Sequence, residues 1–230
     1  MIPPGDFSFW EGLWKVIVAD IVLAGDNAVV IALAVRTLPA RQQFWGRIFG
    51  AFGAVALRVL FVYLISSLLL VPFLRVVGGV LLIWIAVKLV QPKNIVVEDD
   101  DHVRAGTSLF EAIWIIVVAD VVMSFDNVMA ISGASKGHLG LVIFGLLFSI
   151  PLVVIGSGLL SAIMRRFPWM IWLGSGLLGH VAGEMILADP RVRDWLGPVA
   201  MRLDQFLPLA FGVSLVALGW FLARGTPRAK

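Results

Sequence analysis

Long apolar stretches recur along this chain, and they limit its fold more than any other feature. Seven follow one another, near Phe9–Val35, Phe44–Val71, Phe73–Val90, Leu109–Gly133, Leu139–Met164, Trp169–Leu187 and Phe206–Ala223. Each is close to or above the ~20 residues an α-helix needs to cross a ~30 Å hydrocarbon core. Alternation of period two is absent, and backbone inside a bilayer must hydrogen-bond to itself. Helix is therefore the expected state throughout. Turn signals separate the stretches: Thr37-Leu38-Pro39, Val71-Pro72, Gln91-Pro92, Lys136-Gly137-His138, Phe167-Pro168 and Asp189-Pro190. Composition agrees, with 60% of the 230 residues hydrophobic and 14% charged, where soluble domains are about a quarter charged. The expected fold is an all-α membrane protein of seven transmembrane helices, one domain over residues 1–230, with the lipid bilayer as its solvent.

The net charge of +3 does not point to nucleic acid, because the basic residues sit at the ends of apolar stretches. The chain has no cysteine, which excludes disulfides and thiolate metal sites. Residues Met1–Trp14 carry no basic residue ahead of the apolar run, so the first stretch is expected to remain as a span. Connecting segments on one side carry Arg36, Arg41, Arg47, Lys93, Arg104, Arg165, Arg166, Arg224, Arg228 and Lys230. The other side carries only Arg75, Lys136, Arg191, Arg193 and Arg202. The richer side reads as cytoplasmic, which places the N-terminus outside and the C-terminus inside. The polar insert 91–108 contains Glu98-Asp99-Asp100-Asp101-His102, read as a solvated linker rather than a cation loop.

The halves on either side of that insert match. Glu11, Trp14, Ala19, Asp20, Asp26 and Asn27 recur as Glu111, Trp114, Ala119, Asp120, Asp126 and Asn127. Phe49-Gly50 aligns with Phe144-Gly145, Pro72 with Pro168, Gly78 with Gly174, and Lys88 with Glu184. Repeat one covers about 9–90, repeat two about 109–187, and a stretch at about 206–223 has no counterpart. Three spans per repeat is an odd number, so the second copy lies upside down relative to the first. Inverted repeats of this kind place a substrate site at the midplane between the copies.

Charged groups within a span are costly, so a duplicated acid cluster suggests a task. Asp20 and Asn27 are seven residues apart and share a helix face. Asp26 points ~80–100° away on an unbroken helix. Gathering all three on one ion requires a bend or unwinding near Ala24-Gly25. In the second copy Ser124-Phe125 replaces that pair, and Ser124 offers a hydroxyl instead. Together the clusters supply Asp20, Asp26, Asn27, Asp120, Asp126 and Asn127. Six hard oxygen donors suit Mn²⁺, Mg²⁺ or Ca²⁺, carried as substrate, and no organic cofactor is implied. Four carboxylates exceed the charge of one divalent ion, so some should hold protons when the ion is absent. Ion entry then expels protons, a physical basis for exchange.

Arg58, Lys88 and Glu184 also lie within spans. Arg58 is mid-span and needs a carboxylate partner, with Asp20, Asp26, Asp120 and Asp126 as candidates. Lys88 and Glu184 occupy matching positions and are expected either to pair with each other or to answer the aspartates; snorkelling is the alternative for Lys88. His180 reads as a structural, hydrogen-bonded residue. Gly78, Gly79, Gly174, Gly176 and Gly179 read as close helix contacts.

At the paired motifs Ala19-Asp20…Gly25-Asp26-Asn27-Ala28 and Ala119-Asp120…Phe125-Asp126-Asn127-Val128 the chain resembles the TerC family of integral membrane proteins. That family lies within the LysE-like transporter superfamily, and the short length suits its small bacterial branch, called YjbE-like. The resemblance implies metal-ion homeostasis, notably manganese export, in a bacterial inner membrane, with the six acid and amide positions as metal ligands. An aspartyl protease of the membrane is disfavoured, since Leu23-Ala24-Gly25-Asp26 stands where such enzymes carry Gly-X-Gly-Asp; no enzymatic activity is expected. A non-transporting subunit of a metal or stress-resistance complex, and an exporter of another small cationic solute, stay open as alternatives, as does a homodimer.

Overall fold

The computed structural model describes residues 7–68, 71–91, 108–134 and 139–224. Within these residues the chain forms eight helices and no strand. They are α1 (Phe7–Val35), α2 (Ala40–Leu68), α3 (Leu74–Val90), α4 (Leu109–Ala134), α5 (Leu139–Arg166), α6 (Met170–Ala188), α7 (Pro190–Leu196) and α8 (Val199–Arg224). The apolar stretches thus become helices with ends close to those expected. Among the described residues, four segments are long and apolar enough to cross a membrane: Ala40–Leu64, Val142–Arg166, Met170–Ala188 and Val199–Arg224. The acidic run Glu98–Asp101 lies outside the described residues.

Two details differ from the sequence reading. The polar segment before the last stretch is not a loop. Asp189 accepts a hydrogen bond from the Arg191 N–H at 3.0 Å and Pro190 occupies the first turn, so a short helix, α7, starts there. Gly197, with φ 52°, ends it. The helix α8 then begins at Val199 rather than near Phe206 and runs through Pro208. The second difference concerns Gly25. The helix α1 continues unbroken through it, so the expected unwinding near Ala24-Gly25 does not occur.

The helices pack in a definite pattern. The most extensive contacts join α6 to α8, α1 to α5, α2 to α4, and α3 to α6, followed by α1 with α4. Small residues set these approaches. A Cβ added at Gly50 would lie 2.7 Å from Ile116, and one at Gly53 2.9 Å from Val117, both on α4. Gly78 meets Val122 of α4, while its counterpart Gly174 meets Val29 and Leu33 of α1. Gly79 faces the Ala182 carbonyl on α6, and Gly176, Gly179 and Gly183 face the backbone of α8 at Gly212, Phe211 and Pro208. The glycine positions singled out in the sequence are therefore close-contact sites, as small residues usually are between membrane helices.

The end of the molecule at the α1–α2 turn is tightly laced. Gln43 donates to the carbonyls of Leu38 (2.7 Å) and Arg36 (3.3 Å) and accepts from Arg165 at 3.2 Å. Arg36 donates to the Leu89 carbonyl at 2.7 Å, tying α1 to α3. Lys88 forms a 2.6 Å ion pair with Glu111, tying α3 to α4. Beneath these contacts lies a continuous buried core of Val30–Val35, Leu82, Ile85, Leu89, Ile115, Ile116, Leu178 and Met185.

Gly183 offers a direct check on the α6–α8 contact, because an added Cβ would come within 2.7 Å of Pro208 Cα. Gly183→Leu should destabilise the protein by about 1–3 kcal/mol through overpacking. Gly156→Ala, which meets nothing within 4 Å, should be neutral or slightly stabilising. Thermal unfolding of the two variants in detergent measures both.

Candidate functional site

Four helices converge on one polar cleft. Its walls are Asn27 and Ile31 of α1, Ala51, Ala54, Val55 and Arg58 of α2, Asp120 of α4, and Ser149, Ile150 and Val153 of α5. The cleft holds about 20 Å³, room for one water-sized occupant. Asn27 lies eight residues, or ~12 Å, from the end of α1, and Asp120 eleven residues, or ~17 Å, from the start of α4. Both depths are close to half of a ~30 Å hydrocarbon core.

One wall carries a buried ion pair. Arg58 and Asp120 are 4% and 5% exposed. Arg58 Nη2 donates to Asp120 Oδ1 at 2.5 Å, and Arg58 Nε donates to Ser124 Oγ at 2.9 Å. Ser124 Oγ in turn donates to Asp120 Oδ2 at 2.9 Å. Ser124 stands one turn after Asp120 on α4, so its hydroxyl falls on the same face. Among the described side chains, Asp120 answers Arg58. Both its oxygens are engaged.

The facing wall carries an unmatched acceptor. Asn27 is 6% exposed, and its Oδ1 has no hydrogen-bond partner among the described residues. Buried amide oxygens are nearly always paired, so an orphan that lines a cavity points to an absent donor or cation. Ser149 Oγ is already committed to the Leu146 carbonyl at 2.8 Å. Sequence reasoning missed Ser149 as a lining residue, since nothing in its Phe148-Ser149-Ile150 setting marks it.

The remaining candidates fall elsewhere. Asp26 is next to Asn27 in sequence, but the unbroken helix turns it away from the cleft. It is half-buried and within electrostatic reach of His180 on α6. Glu184 pairs with His180 at 3.4 Å. Lys88 pairs with Glu111 and sits 5.1 Å from the centre of the Trp84 ring. The expected pairing of Lys88 with Glu184 or the aspartates is thus replaced by one with Glu111, because α3 packs its far end against the start of α4. Glu111 was visible as a repeat residue, matching Glu11. The side chains of Asp20, Asp126 and Asn127 lie outside the described residues. No three His, Asp or Glu side chains gather within metal-binding distance among the described residues.

Comparison with known proteins fits this arrangement. Residues 6–229 match the family described as integral membrane protein TerC family. The chain belongs to the TerC family. Among its relatives is the uncharacterized membrane protein YjbE of Bacillus subtilis, 43% identical over 75% of this chain and 78% of the relative. The uncharacterized membrane protein YkoY of the same species is 26% identical over 89% of this chain and 69% of its own length. The inner membrane protein YgdQ of Escherichia coli, described as UPF0053, is 24% identical over 79% and 82%. No solved structure matches significantly. This TerC chain is an integral membrane protein with several apolar helices.

The ion pair predicts a stability pattern. Arg58→Met or Asp120→Leu alone breaks the buried pair and should cost about 3–5 kcal/mol, whereas the double variant should recover much of that loss. Chemical or thermal unfolding of the three variants in detergent tests the cycle.

Proposed function

We propose that this TerC protein is a secondary transporter of divalent metal ions, with Mn²⁺ export coupled to protons as the best-supported form. The observation that carries the reading is the orphan Asn27 Oδ1 in a one-water cleft that Asp120 also lines. A hard oxygen acceptor and a carboxylate lining one cleft, at mid-depth between apolar helices, suit a small hard cation. Asp20, Asp126 and Asn127 are proposed as further donors from the repeat motif, and the metal's identity follows from the family resemblance.

The packing pattern supports an inverted three-plus-three repeat within seven crossings. The contact of α1 with α5 mirrors that of α2 with α4, as a two-fold relation between the halves requires. Two further contacts between the halves, α1 with α4 and α3 with α6, join equivalent helices across the same axis, while α8 packs on α6 outside the repeat. The cleft lies among α1, α2, α4 and α5, the two equivalent helix pairs at the centre of this pattern, and inverted-repeat transporters bind their substrates between their copies. Surplus carboxylates beyond the charge of one ion give up protons on ion entry, and this couples metal flux to a pH gradient. The Lys- and Arg-rich ends set the C-terminus in the cytoplasm and the N-terminus outside.

Flux into proteoliposomes containing only this protein tests the reading. Mn²⁺ uptake should respond to an imposed pH gradient. Asn27→Ala, Asp120→Asn and Asp126→Asn should each reduce flux by at least about tenfold, the scale of losing one ligand-level contact. Undiminished flux in all three variants would remove the assignment, and absence of flux in the wild type would favour a subunit that does not transport.

A further inference from the structure

Asp120 is a proposed ligand, yet both of its oxygens are occupied by the protein itself. We propose that Arg58 is a tethered counter-cation: it holds Asp120 while the site is empty and yields it to the entering ion, so that only a divalent cation displaces it effectively. This role rests on the transport reading above.

The guanidinium is permanently charged, since it does not deprotonate in proteins. It is 4% exposed and at mid-span, so it cannot reach water from where it stands. Its Nη2 and Nε engage Asp120 Oδ1 and Ser124 Oγ, and Ser124 closes the triangle on Asp120 Oδ2. An ion coordinated between Asn27 Oδ1 and Asp120 would therefore share a carboxylate whose two oxygens already accept from Arg58 and Ser124. The cleft has room for about one water-sized occupant. A bare ion and the guanidinium in its present place would put like charges side by side on one carboxylate. Exchange avoids that: the guanidinium moves off Asp120 as the ion enters and returns as it leaves.

The exchange sets selectivity. A monovalent ion that displaces a monovalent guanidinium gains no charge interaction with Asp120, and it gives up the hydrogen bonds from Arg58 to Asp120 and Ser124. A divalent ion gains twice the attraction. The returning guanidinium also competes with the bound ion and speeds its release. The device is one-sided. By the Phe49-Gly50 to Phe144-Gly145 alignment, the counterpart of Arg58 is Val153, which lines the same cleft without charge. One cation thus serves a site built from both halves.

The test is Mn²⁺ binding by the full-length protein in detergent, read by Mn²⁺-dependent thermal shift and by direct titration, with and without Na⁺. The wild type should bind Mn²⁺ and be indifferent to Na⁺. Arg58→Gln should melt lower without metal, bind Mn²⁺ roughly tenfold more tightly, and become sensitive to competition by Na⁺; a coupling between two occupants of one site is typically 5–150-fold. In liposomes its KM and kcat should fall together. Arg58→Lys keeps the charge and should keep the Na⁺ indifference, which serves if Arg58→Gln does not fold. Adding Asp120→Asn to Arg58→Gln should abolish the tighter binding. Wild-type binding left unchanged by Arg58→Gln, or tight binding that persists in the double variant, overturns this role alone. No Mn²⁺ binding by the wild type overturns the transport reading and this role with it.

Discussion

A single buried ion pair, Arg58 with Asp120, determines how the centre of this protein can be organised. Removing either partner from this pair is costly, since a buried charge that loses its counter-charge between apolar helices costs several kcal/mol. Their contact fixes α2 against α4 at the depth where the halves of the chain meet. Ser124 completes the pair by bonding both partners. The glycines at 50 and 53 make the approach feasible, because they bring α2 close enough to α4 for the guanidinium to span the gap. The opposite wall follows from α1, whose continuous helix carries Asn27 into the same cleft and turns Asp26 away toward α6.

The two ends of the molecule are held by different means. At the α1–α2 turn the chain is tied by Gln43, Arg36, Arg165 and the Lys88–Glu111 pair, above a dense apolar core. The helix α8 lies against α6 through backbone contacts at Gly176, Gly179 and Gly183, which side chains of any size would break.

Much of this was legible in the residues, for physical reasons. Helix positions followed from hydropathy because a bilayer leaves backbone no other way to satisfy itself. The close-contact glycines and the need of Arg58 for a carboxylate were readable for the same reason: mid-span cost leaves few options. Which carboxylate answers Arg58 was not readable, because four aspartates lay on helices whose rotation only packing decides. Glu111 as the partner of Lys88 was hidden likewise, since the pair spans α3 and α4. The break at Gly25 was inferred from permissive backbone, but in an apolar medium an intact hydrogen-bond ladder favours continuity. The short helix α7 was hidden by its charge, although Asp189-Pro190 is a standard start signal.

The central claim is that a metal ion sits in the cleft between Asn27 and Asp120. Anomalous scattering from crystals soaked in Mn²⁺ measures this most directly. The account predicts one strong peak in coordination distance of Asn27 Oδ1 and Asp120, with the Arg58 guanidinium moved off Asp120. A peak confined to another part of the molecule, with Arg58 still bonded to Asp120 and the cleft without metal, would contradict it.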